Sequence, residues 1–231
     1  MTKSISEILT RLDEQLRERY DPLGSVEGDN GAYRTGHVPH VAPYAYLCSR
    51  YARLDDNGVR GAENEAQRYI PEPYKELLRH MNGAWILGVS LHGGIGGSVD
   101  RSGVGIGQPV SIWYQNAVER PDYIPDGHLG IGAINGEWSS QGHLYLASTG
   151  EVELYNAKFD MIGARWSSLS DFLEDEIPRR YSIYDDEGRE IDKSKRLPGD
   201  TEDWERLAQE AKGEEERDGI LKRMLRKLHR E

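Results

Sequence analysis

The chain has 231 residues, a formal net charge of −11, 37% hydrophobic and 30% charged residues, and a single cysteine. That length supports one good core with an appended piece, and the low hydrophobic share leaves part of the chain as solvated surface or tail. Acidity disfavours direct binding to nucleic-acid phosphates, the lone Cys48 excludes an internal disulfide framework, and no run reaches the ~20 apolar residues of a membrane-spanning helix. The N-terminal residues lack the apolar core of a signal peptide, so a cytoplasmic location is expected.

Ser4 to Tyr20 reads as an amphipathic helix. Ile5, Ile8, Leu9, Leu12 and Leu16 share a face, and Ser4 with Glu7 has the spacing of a capping box. Asp21 to Val41, rich in glycine and proline, reads as a loop. Ala42 to Leu54 is apolar and tyrosine-rich without a decisive period. Cys48 within it is expected to be a buried structural thiol. Asp55 to Glu65 is polar, and Asn57-Gly58 reads as a turn.

From Ile70 to Gly83 the sequence carries its own start and stop signals for a helix. Pro71 and Pro73 fit the entrance, where N–H groups have no intrahelical partner to lose. Tyr74, Leu77, Leu78 and Met81 fall at i, i+3, i+4 and i+7. Asn82-Gly83 tolerates the positive φ of a helix C-terminus. Ala84 to Val89 follows as an apolar, strand-like run. Farther on, Leu144 and Leu146 alternate with His143 and Tyr145, and Val152 and Leu154 alternate with Glu151, Glu153 and Tyr155. This predicts a hairpin around Ser148-Thr149-Gly150 with one face inward and the other in water. Ser168 to Ile177 is a short helix burying Leu169, Phe172, Leu173 and Ile177, with Asp171, Glu174, Asp175 and Glu176 on its solvated side. Two further helices are expected in the charged tail, over Thr201–Lys212 and Glu214–Arg230. The second carries an apolar stripe suited to docking on its own domain or on a twin, which would make a homodimer.

Enzyme signals fail one by one. Gly94-Ile95-Gly96-Gly97-Ser98-Val99 has valine where a dinucleotide-binding loop needs its third glycine. Gly88-Val89-Ser90-Leu91-His92 departs from a nucleophile elbow because His92 takes the place of the required glycine, so Ser90 reads as an ordinary strand residue. His37, His40 and Cys48 match no zinc spacing. His80 and His143 fall on exposed or cross-strand positions and imply no triad. No cofactor, metal or catalytic group is expected, and a hydrolase using His92 or His143 is the remaining enzymatic alternative.

The proline-entered helix ending in Asn82-Gly83 and feeding a strand resembles the signature of the SUKH superfamily, the Smi/Knr-type domains. Further pieces follow in the family's order. These are Val110 to Val118 with Asn116, the pair Ile131-Gly132 within His128 to Gly132, the turn Ser148-Thr149-Gly150-Glu151-Val152, and the closing Ser168-Leu169-Ser170-Asp171-Phe172-Leu173. The glycine-rich stretch from His92 to Gly107 and the tail beyond Pro178 depart from the pattern. The resemblance implies an α+β fold, a central, mainly antiparallel sheet with helices packed on it. Residues 1–69 would be a helix and loop region packed on the core, 70–180 the core itself, and 181–231 a helical C-terminal extension. It also implies a non-catalytic binding protein, most concretely an immunity protein that silences a cognate toxin. The alternative within the family is a regulatory or scaffold role like that of the fungal members.

An acidic inhibitor complements a basic, nuclease-type toxin. The expected contact surface is the solvent face of the hairpin, with Glu151, Glu153 and Tyr155, together with Glu137 and Trp138 in the preceding turn. Carboxylates there would pair with the partner's Arg and Lys, while the aromatic residues would anchor the interface.

Overall fold

In the computed structural model, which describes residues 4–28, 31–94, 109–134, 142–156, 161–198 and Gly213, the first helix is α1, Ile5–Tyr20. Ser4 and Glu7 close the capping box and satisfy N–H groups that the first turn leaves without helical partners. Ile5, Ile8, Leu9, Leu12 and Leu16 are all buried, as their spacing requires.

Asp21 to Val41 is not a loop. It holds β1, Ser25–Glu27, and β2, Tyr33–His37. Strands this short carry almost no period, and the inward position in β2 is taken by a polar residue. Thr35 is buried and donates its hydroxyl to the Asp21 carboxylate at 2.7 Å. The ambiguous tyrosine-rich stretch becomes β3, Tyr46–Arg50, with Cys48 buried and its thiol pKa pushed up by that burial. Asn57-Gly58 is not a turn but part of the first turn of α2, Asp56–Ala66. Asp55 caps that helix, accepting the Gly58 N–H at 2.8 Å, and this outweighs the low helix propensity of glycine.

The proline-entered helix is α3, Glu72–His80, with Tyr74, Leu77 and Leu78 fully buried. Met81 is buried too, but already extended (φ −153°), so the helix ends before Asn82-Gly83. Gly83 does hold a positive φ of 76°, one step beyond the terminus it was expected to cap. The apolar run after it is two strands rather than one: β4, Ala84–Ile86, and β5, Val89–Leu91. Leu87 and Gly88 form the tight turn between them, both with positive φ (50° and 86°), as a two-residue hairpin of the primed type demands. The Arg180 guanidinium holds that turn, its Nε donating to the Leu87 carbonyl at 2.7 Å.

The sheet continues with β6, Leu129–Ile134, β7, Gly142–Leu146, β8, Val152–Asn156, and β9, Ile162–Trp166. The last helix, α4, Leu169–Tyr181, is capped by Ser168, which accepts the Asp171 N–H at 3.1 Å. All nine strands form one antiparallel sheet in sequence order, β1 to β9. The fold is therefore α+β. A division at residue 70 does not follow the hydrogen bonding, because β3 pairs with β4 through Cys48↔Ile86 and Arg50↔Ala84. The compact units are Met1–Leu197 and Pro198–Glu231. Both expected tail helices lie outside the described residues.

Alternation along the strands gives the sheet two unlike faces. Cys48, Ile86, Val89, Leu91, Leu144 and Leu154 are buried on one, the face where α1 packs against α3 and α4. The other carries a transverse row set by register: Arg34, Ser49, Trp85, Ser90, Ala133, His143, Tyr155.

Candidate functional site

Among the described residues, the second sheet face divides into a covered half and an open half. Over the covered half, Tyr155 and Tyr145 pack with Ile124 in a small second core, joined by Tyr123 and Ile162. This corrects the expected water-facing side of the hairpin. Tyr155 is buried, and Glu153 is only 5% exposed. Glu153 is the hub of a polar cluster. Its carboxylate accepts from His128 Nε2 and the Tyr155 hydroxyl, both at 2.9 Å, and from Arg165 Nε at 2.9 Å. Burial alone would raise its pKa, but these three hydrogen bonds outweigh it and hold the carboxyl below its usual range. Of the described residues of the expected surface only Glu151 keeps partial exposure, and it accepts the Thr149 hydroxyl at 3.0 Å. Glu137 and Trp138 lie outside the described residues.

Two more expectations about acids and histidines need correction. Glu176 is not on a solvated helix face. It is fully buried and held by Arg179 through Nε at 2.7 Å and Nη2 at 2.6 Å, while burial raises its carboxyl pKa. His80 is half-buried, with Nε2 3.3 Å from the Asp13 carboxylate. Among the described residues no group of three or more His, Cys, Asp or Glu is arranged to hold a metal ion.

The open half is built around two asparagines. Asn82 reaches across to Gly94, donating to its carbonyl and accepting its N–H, both at 2.8 Å. Asn116 does the same for Gly130 at 2.8 Å each, and also donates to the Ile112 carbonyl at 2.8 Å. Beside it Gln115 accepts the Gly132 N–H at 3.0 Å and donates to the Leu144 carbonyl at 3.1 Å. These contacts clamp a π-helical turn, Tyr114–Val118, against β6. Gly132 is required by close approach, since a Cβ there would sit 2.0 Å from the Ser90 carbonyl oxygen.

Between that turn and the sheet lies a cleft of about 290 Å³. Its floor is Ser90, His92 and Gln115, all buried. Trp85, Val110, Tyr114, Glu119 and His143 form its walls and rim. Burial pushes the His92 pKa down to about 4, with nearby His143 adding to the effect, and burial lowers that of His143 as well. Both rings have an Nδ1 without a hydrogen-bond partner. Trp85 is a ridge, because on its other side it lines a second groove of about 440 Å³ with Val41, Tyr46 and Leu47. Exposed apolar side chains line both hollows: Val110 and Tyr114 the cleft, with exposed Trp113 edge-on to Tyr114, and Val41 the groove. Among the described residues, the expected contact set meets this open half where Tyr155 pairs across strands with His143.

Sequence reasoning left Trp85, Trp113, Tyr114 and Glu119 unnamed. Strand phase contains the signal for Trp85, since Ala84 and Ile86 point inward on either side of it. The π-helical turn has no familiar period, so Trp113 and Tyr114 carry none. Comparison with protein-family models, with curated proteins and with solved structures gave no match to this chain.

Proposed function

We propose that this chain is a non-catalytic protein-binding domain of the SUKH type, an immunity protein that neutralises a cognate toxin with a basic surface. The observation that carries the reading is the open half of the sheet face. Trp85 stands there between two hollows, with exposed Tyr114 lining one and Trp113 edge-on to it, and exposed Val41 lining the other. Aromatic residues concentrate interface energy, and a contiguous apolar surface with a polar rim is what a docking partner covers. The net charge of −11 favours a basic partner over nucleic acid. The ordered motifs from Ile70 to Ile177 support the family.

The experiment is co-expression with the toxin encoded beside this chain's own gene. A Trp113→Ala, Tyr114→Ala variant, shown folded by circular dichroism, is expected to lose protection of the cells. Full protection by that variant would remove this face from the interface. A neighbourhood without a toxin gene would turn the reading toward the regulatory or scaffold role.

A hydrolase is the second reading, and one observation favours it: Ser90, His92 and His143 line the same cleft. A serine nucleophile needs its base within hydrogen-bond reach, and no such bond joins these side chains among the described residues. With a pKa of about 4, His92 is also far from the operating pH that general-base catalysis favours.

A further inference from the structure

The cleft beside Trp85 holds about 290 Å³, at the lower edge of the range for small-molecule pockets and enough to receive a single long side chain. Its chemistry is uneven from rim to floor. Glu119, exposed at the rim, is the carboxylate among the lining residues. Trp85 and Tyr114 supply two aromatic rings to the walls, Trp85 half-buried and Tyr114 47% exposed. The floor is polar but uncharged: the Ser90 hydroxyl and the His92 imidazole, 6% exposed and unpartnered at Nδ1. A neutral imidazole has one accepting nitrogen, and a serine hydroxyl also accepts.

We propose that this cleft receives an arginine side chain from the docking partner, its guanidinium stacked between Trp85 and Tyr114, paired with Glu119 and donating to His92. The inference rests on the protein-binding reading and names the partner's chemistry at one point of it. Each element of the cleft answers a property of that side chain. The planar cation stacks on aromatic faces and is weakly hydrated, so a half-buried site costs it less than it costs an ammonium. Its five N–H donors suit a site that offers acceptors at both rim and floor. A carboxylate-bearing side chain would meet Glu119 with like charge, and an aliphatic one would leave Ser90 and His92 without partners. Burial holds His92 neutral at physiological pH, which keeps the floor from repelling a cation.

The test uses the full chain, with Nα-acetyl-L-arginine methylamide as the probe and nitrogen–proton correlation spectra as the readout. The Trp85 indole signal is assigned with a Trp85→Phe variant. Saturable movement of that signal at millimolar probe is expected. The neutral citrulline analogue, which has the same shape, should bind about tenfold more weakly, and Glu119→Gln should weaken the arginine probe about fivefold. Equal binding of the citrulline analogue, no saturable shift, or a Glu119→Gln chain that binds unchanged would each overturn the arginine site. The two readings fail separately. Lost protection by the Trp113→Ala, Tyr114→Ala variant without arginine binding leaves the docking face and removes its cation. Arginine binding with protection intact in that variant leaves the cleft and removes the docking face.

Discussion

Asn116 does with one side chain what a strand partner does elsewhere. Its amide makes three hydrogen bonds of 2.8 Å, to Ile112 and to both backbone groups of Gly130. Removing it leaves a buried N–H and two carbonyls to lose their partners together. Asn116→Ala should therefore cost about 3 kcal/mol of unfolding free energy, read as a lower urea midpoint with unchanged slope. A loss under about 1 kcal/mol would mean that water replaces the amide. Nothing in the sequence marks Asn116 as buried, because asparagine is most often exposed. Only its place in an ordered motif singled it out. His92 gives a second prediction at this scale. Its folded pKa of about 4 lies below the ordinary 6.5, so between those values the unfolded chain binds a proton that the folded chain refuses. Stability must fall as pH drops from 6.5 to about 4, and His92 alone contributes about 3 kcal/mol of that loss. His143, also shifted down, adds to it. His92→Gln should flatten the decline in urea midpoint between neutral and acid pH relative to the parent. An equally steep decline in the variant would show that His92 titrates normally.

At the scale of elements, legibility followed length and cap chemistry. The helices α1, α3 and α4 were readable because an apolar stripe at 3.6-residue spacing coincided with a start signal: Ser4, the proline entrance, Ser168. The strands β1 and β2 were not, being three and five residues long with Thr35 inward. Alternation in the hairpin was read correctly as a period of two, yet Glu153 and Tyr155 are buried because a second layer covers that face. Period reveals two faces and cannot say that both are covered. In α3, Leu77 is fully buried on the same stripe as Tyr74 and Leu78. Leu77→Asp sets a charge in that core and should destabilise by more than about 4 kcal/mol, enough to unfold a protein of ordinary stability. A variant melting at the parent's temperature would contradict the packing of α3.

For the whole molecule, the proposed binding role gives the sheet and the charge different stages of recognition to act on. Among the described residues, a nine-stranded antiparallel sheet with helices on one face leaves part of its other face uncovered, and on the protein-binding reading that surface would set which partner fits. The antiparallel α+β class was legible from the sequence, whereas the open half of the face was not, since it depends on where the π-helical turn stops covering the strands. Net charge works earlier, at distance. With −11 on the chain, the basic partner proposed above would be drawn in through a field that salt screens over about 8 Å at physiological ionic strength. If the proposed partner is a basic toxin, stopped-flow association with it should slow about tenfold or more as salt rises from low to physiological concentration. Dissociation should change much less, because charges outside the contact act on encounter while groups paired within the complex hold it. Glu119 separates the two stages. One charge among many barely alters a long-range field, so Glu119→Gln should leave the salt slope of association nearly intact and raise the dissociation rate. An association rate indifferent to salt would remove steering and leave apolar contact around Trp85 as the whole basis of recognition.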